Sequence, residues 1–113
     1  MIHGSLENEI MNAIWSLEEQ HSDFDGLNIA VADVVNFLNS DGSKKAYTTV
    51  KTVMDRLVDK KYLERNKSGK KFFYFSTNSR VNSAKSAIKK LASQYFNNDI
   101  QSLMKVLEKE CLK

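Results

Sequence analysis

Proline is absent from the 113 residues, and cysteine occurs once. A chain without proline favours helices and short turns over long irregular connections. The lone thiol, Cys111, has no internal disulfide partner, which points to a reducing compartment, the cytoplasm. There is no apolar run of about 18 residues. Nor is there a charged-then-apolar leader with a small-residue cleavage site, so neither a membrane span nor secretion is expected. Signatures of catalysis are missing as well: no glycine-rich phosphate loop, no nucleophile elbow and no His-x-x-x-His spacing. His3 and His21 lie in polar stretches and Cys111 has no ligand-type neighbour, so no metal, cofactor or small-molecule ligand is expected and the chain does not read as an enzyme.

The sharpest absence is one of sign. Residues 1–43 hold eight acidic residues and no lysine or arginine. Residues 44–71 then hold ten basic residues against three acids, a local net charge of +7. Such segregation inside a chain of net charge +3 is the footprint of a polyanionic partner, most often nucleic acid, although a merely solvated lysine face has the same composition.

What is present is helical periodicity. Leu6, Ile10, Ile14 and Leu17, widened by Met11 and Trp15, form one stripe behind a possible Ser5 cap. Its acids are expected to lie away from the basic surface. Residues 21–26 read as a loop, and Leu27–Ile29 as a short extended piece. Val31, Val34, Val35 and Leu38 form a second helical face, broken by the turn-forming residues 39–43. A third helix over 46–60 has Val50, Val53, Met54, Leu57 and Val58 on its apolar side. Two short strand-like runs, 62–65 and 71–76, flank a basic turn at 66–70 and predict a hairpin. The rings of Phe72, Phe73, Tyr74 and Phe75 read mainly as hairpin core, with base stacking as the other reading. Beyond 77–80 a last stripe comprises Val81, Ile88, Leu91, Tyr95, Phe96, Ile100, Leu103, Met104 and Leu107.

Three helices and a hairpin give a mainly α fold with a small β element, the order of a winged helix-turn-helix. The expected division is a DNA-binding domain at 1–78 and C-terminal dimerisation helices at 79–113. The third helix would enter the major groove, because its outward Thr48, Thr49, Lys51 and Thr52 are short polar or basic side chains suited to base edges. Tyr47 opens that helix, and Arg56 reads as a phosphate contact or a partner for Asp55 and Asp59. Lys44 and Lys45 before the helix, and Lys67, Lys70 and Lys71 in the wing, would meet phosphates. The last stripe would close a homodimer on a palindromic duplex, with packing onto its own domain as the alternative.

The run Tyr47-Thr48-Thr49-Val50-Lys51-Thr52-Val53-Met54-Asp55-Arg56-Leu57 and its continuation to Leu63 resembles the penicillinase/methicillin-resistance repressor and copper-transport repressor family. The likeness extends through the wing to Tyr74 and back to Leu6–Met11 and Trp15. It implies a homodimeric winged-helix transcriptional repressor that binds an inverted repeat. Three departures stand out. Lys61 occupies a place where the family usually has a C-capping glycine. The paired Cys-x-Cys motifs of copper-sensing members are missing, and no Asn-Phe bond, the cleavage site of antibiotic-responsive members, occurs. The rival class is a winged-helix module that binds a protein, or an anti-repressor.

Overall fold

The computed structural model describes residues 5–20 and 28–112. His3, His21 and Leu27 lie outside the described residues. The chain divides into two compact units between Ser79 and Arg80.

The first unit runs helix, helix, helix, hairpin: α1 Ser5–Gln20, α2 Val31–Leu38, α3 Tyr47–Asp59, β1 Leu63–Ser68 and β2 Lys71–Ser76. Ser5 is thus the first helical residue. The apolar periodicity is the cause of this arrangement. Ile10, Met11 and Ile14 of α1, Val34 of α2 and Val50, Met54 and Leu57 of α3 meet Leu63 and Tyr74 of the hairpin in one buried cluster. Each such side chain contributes about 1.5–3 kcal/mol on burial. A single-turn 3-10 segment, Asn39–Asp41, ends α2, and Gly42 at φ +95° reverses the chain where a side chain would be strained. The sheet is antiparallel, and Ile29 adds an isolated bridge to Tyr74, so the extended piece before α2 joins the hairpin.

Polar contacts tie the helices to the hairpin. Glu18 of α1 accepts from the Ser76 N–H at 2.9 Å and from its hydroxyl at 2.6 Å. Trp15 Nε1 donates to the Asn78 carbonyl at 2.9 Å, and Thr77 Oγ1 to the Lys61 carbonyl at 2.8 Å. The segment after β2 is therefore anchored on both sides. Glu7, buried in α1, accepts from Lys60 Nζ with both oxygens at 3.0 Å, placing a cation at the C-terminal end of α3. Glu9 lies 3.6 Å from Lys45. The expectation that the first-helix acids stay clear of the basic residues fails at these two positions, because α1 packs directly along α3.

Helix α3 closes in a Schellman motif. The Lys61 N–H donates to the Val58 carbonyl and the Tyr62 N–H to that of Leu57, both at 3.0 Å. Lys61 has φ +72°, so a residue with a Cβ occupies the left-handed position. Its side chain is exposed, which leaves the backbone strain without compensation. Lys61→Gly is expected to stabilise the fold by about 1 kcal/mol. Thermal melting checks this: a midpoint higher by roughly 4 °C is expected, and a lower one refutes it.

The second unit consists of α4 Arg80–Tyr95 and α5 Ile100–Val106, which continues as a π-helical turn over Leu107–Cys111. Asn97 and Asn98 reverse the chain at φ +50° and +66°, a conformation their short polar side chains tolerate. Asp99 then caps α5, accepting from the Gln101 and Ser102 N–H groups and the Ser102 hydroxyl. The Ser102 and Gln101 bonds hold its carboxyl below the usual carboxylate value. Among the described residues of this unit, only Ala92 and Leu103 are buried. Val81, Ile88, Leu91, Tyr95, Ile100, Met104 and Leu107 are all exposed, and Phe96 is half-buried. Two helices with so little core of their own present an extended apolar surface to water.

Candidate nucleic-acid interface

Helix α3 buries Val50, Val53, Met54 and Leu57 and turns the opposite face outward. Tyr47, Thr48, Thr49, Lys51, Thr52 and Arg56 are all exposed on it. Thr52 donates its hydroxyl to the Thr48 carbonyl at 2.8 Å, so what it offers outward is a methyl group and oxygen lone pairs. Ala46 occupies the N-cap and supplies no side-chain acceptor. By contrast, Asp33 accepts from the Ala30 N–H at the start of α2, and Asp99 caps α5. The first turn of α3 therefore presents uncapped N–H groups beside the Lys44–Lys45 pair, a place that favours anionic oxygens.

The turn ahead of α3 is held by a side chain. Asn39 Nδ2 donates to the Lys45 carbonyl at 3.1 Å and the Lys45 N–H donates to Asn39 Oδ1 at 2.8 Å. This two-way amide clamp fixes the approach to α3 and leaves Lys44 exposed. Lys45 itself is half-buried beside Glu9.

The wing differs from its expected form. Residues 66–68, assigned from sequence to the turn, belong to β1, with Asn66 opposite Phe73 and Lys67 opposite Phe72. Only Gly69 and Lys70 make the turn, because Gly69 at φ +64° supplies the positive φ that a two-residue hairpin connection requires. Lys67, Lys70 and Lys71 are exposed around the tip. Phe72, also exposed, lies beneath the Arg65 guanidinium at 4.7 Å and Lys67 Nζ at 5.7 Å, so its ring is engaged by cations.

Asp55 joins wing and helix. Its carboxylate accepts from Lys51 Nζ at 2.8 Å, Arg65 Nη1 at 2.9 Å and the Tyr74 hydroxyl at 2.8 Å. Burial opposes the charge on Asp55, but the bonds from Lys51 and Tyr74 and the charges of Lys51 and Arg65 outweigh it and keep its carboxyl below the usual value. Burial, followed by the bond to this carboxylate, pushes the Tyr74 phenol up to about 12. At neutral pH the centre is thus a carboxylate with a neutral phenol donor. The suggested pairing of Arg56 with Asp55 or Asp59 is not made: Arg56 points outward and forms no ion pair among the described residues.

Sequence reasoning missed Arg65 and Asn39 as parts of this surface and gave Asp55 the wrong partner, Arg56 in place of Lys51, Arg65 and Tyr74. The i,i+4 spacing of Lys51 and Asp55 was a usable signal. Arg65 was not recoverable without the hairpin register, and the Asn39 clamp spans a turn of irregular geometry. Among the described residues no group of three or more His, Cys, Asp or Glu is placed to hold a metal, and no helix is long and apolar enough to cross a membrane.

No curated protein matches the chain. A family model described as the penicillinase repressor does, over residues 3–112, nearly the whole length. The exposed third helix, its basic flanks and the hairpin thus sit in a chain that belongs to the penicillinase repressor family, whose members are winged-helix, DNA-binding transcriptional repressors.

Proposed function

We propose that the chain represses transcription in the cytoplasm as a homodimer bound to an inverted-repeat operator. In this reading residues 1–78 bind DNA and residues 79–113 dimerise, and α3 lies in the major groove while the hairpin follows the adjacent backbone. The observation that carries the proposal is the outward face of α3, where Thr48, Thr49, Lys51 and Thr52 form a polar strip bordered by exposed lysines at both ends. A B-DNA major groove is about 12 Å wide and admits a helix with such short side chains. A threonine hydroxyl meets a base edge or a phosphate and its methyl meets that of thymine, while lysine reaches guanine acceptors. Lys44, Lys67, Lys70 and Lys71 reach phosphates, which position the protein without reading sequence.

Separate variants distinguish the two kinds of contact. Thr49→Ala and Lys51→Ala are expected to weaken a selected duplex by about 1–3 kcal/mol more than a scrambled one. Lys70→Ala is expected to weaken both alike. Fluorescence anisotropy with both duplexes reads the difference, and a sequence preference altered by the wing change alone would refute this docking mode.

A further inference from the structure

Cations on this surface fall into two groups. Lys44, Arg56, Lys67, Lys70 and Lys71 are exposed and have no ion-pair partner among the described residues. Lys51 and Arg65 are instead locked onto one carboxylate, that of Asp55, at 2.8 and 2.9 Å. The lock reaches across elements: Lys51 comes from α3, Arg65 from β1, and Tyr74 of β2 donates to the same carboxylate. Arg65 is further confined by the Phe72 ring. A fixed negative charge inside a surface that receives a polyanion opposes binding, unless what it gives in return is discrimination.

We infer that Asp55 is a specificity-determining positioning residue, which holds Lys51 and Arg65 engaged, with one of their two charges offset, against random DNA and releases them only to a sequence that repays the exchange. The inference rests on the DNA-binding reading above. An unpaired lysine that meets a phosphate gains the whole benefit of counter-ion release. Lys51 must first exchange a short ion pair for that contact, which comes close to break-even. On the preferred sequence the same lysine meets guanine N7 and O6 in place of a phosphate, and the exchange becomes favourable. Specificity is a difference of affinities, so a carboxylate that lowers the background more than the target raises it. The Tyr74 hydroxyl bond to Asp55, which the exchange leaves in place, ties the wing to the reading helix.

Asp55→Asn tests this, since it deletes the charge and retains an acceptor for Tyr74. The probes are a duplex selected from a randomised pool by the unaltered chain, a scrambled duplex of equal length, and immobilised heparin. At about 0.15 M salt each freed cation is worth about fivefold in affinity for a polyanion. The variant is expected to leave heparin at higher salt and to bind the scrambled duplex at least about fivefold more tightly. The selected duplex is expected to gain less, so that the ratio of the two affinities falls. Asp55→Glu, which restores the charge, is expected to bring the ratio back. Arg65→Gln approaches the same exchange from the other partner: it leaves Asp55 paired with Lys51 and is expected to weaken the scrambled duplex less than Lys70→Gln, which lowers its affinity about fivefold. Unchanged heparin elution, an equal shift for both duplexes, or Arg65→Gln costing as much as Lys70→Gln overturns the inference and leaves DNA binding standing. Absence of any sequence preference in the unaltered chain overturns the DNA-binding reading, and this inference with it.

Discussion

Operator affinity is expected to fall about 10⁵-fold when salt rises from about 50 to 200 mM. Of the seven basic residues around the reading helix and wing tip, Lys45 and Lys51 have acidic partners at 3.6 and 2.8 Å. Lys44, Arg56, Lys67, Lys70 and Lys71 remain exposed without one among the described residues. Five phosphate contacts per protomer make about ten in a dimer, and each contributes about −0.9 to the slope of log affinity on log salt, for a total near −9. Titration of a labelled operator duplex at four or five salt concentrations measures the slope. A value shallower than about −3 would mean that most of these cations do not touch DNA, and the repressor reading would fall with it.

Ile88→Glu combined with Leu91→Glu is expected to convert a dimer into a monomer and lower operator affinity by about 10²–10⁴. Both side chains are exposed on α4, at 44% and 40% of their full accessibility, so charging them costs the isolated protomer little. In the proposed dimer the same positions would face a second copy of the stripe, where two pairs of buried carboxylates would have no counter-charge. Loss of the second DNA-binding unit then removes the effective concentration that links two half-sites. Sedimentation and anisotropy on the full chain read both consequences. A double variant that still sediments as a dimer would place the interface elsewhere, and a dimer with unchanged operator affinity would uncouple dimerisation from DNA binding.

Much of the first unit is legible in the sequence because helical burial repeats locally. Val50, Val53, Met54 and Leu57 mark the inner face of α3 by spacing alone, and the bounds expected from them, 46–60, agree with a helix over Tyr47–Asp59 flanked by Ala46 and Lys60. The hairpin is legible as an element but not in register. The turn expected at 66–70 is three residues wider than the one observed, since Asn66 and Ser68 are turn-type residues and only the cross-strand partners show that 66–68 belong to a strand. The ion-pair network resists prediction for a related reason. Asp55 finds Arg65 ten residues away and Tyr74 nineteen away, partners that exist only after the hairpin folds onto α3. Glu7 and Glu9 look like solvated acids of an N-terminal helix until packing sets them beside Lys60 and Lys45.

Tyr74 gives the hairpin unequal ends. Its N–H bonds the Ile29 carbonyl at 2.8 Å, its ring is buried, and its hydroxyl reaches Asp55, whereas the tip at Gly69–Lys70 is exposed and has open space around Gly69. Mechanically the wing is a cantilever, clamped at its root and free at its point. Bending is then confined to the last few residues, so variation in backbone spacing or groove width from one operator to another can be absorbed at the lysine-bearing tip. The clamp prevents that deflection from being transmitted to α3. On the docking proposed above, a repressor built this way would tolerate irregular phosphate paths at its margins and still hold its reading helix at one fixed angle to the bases.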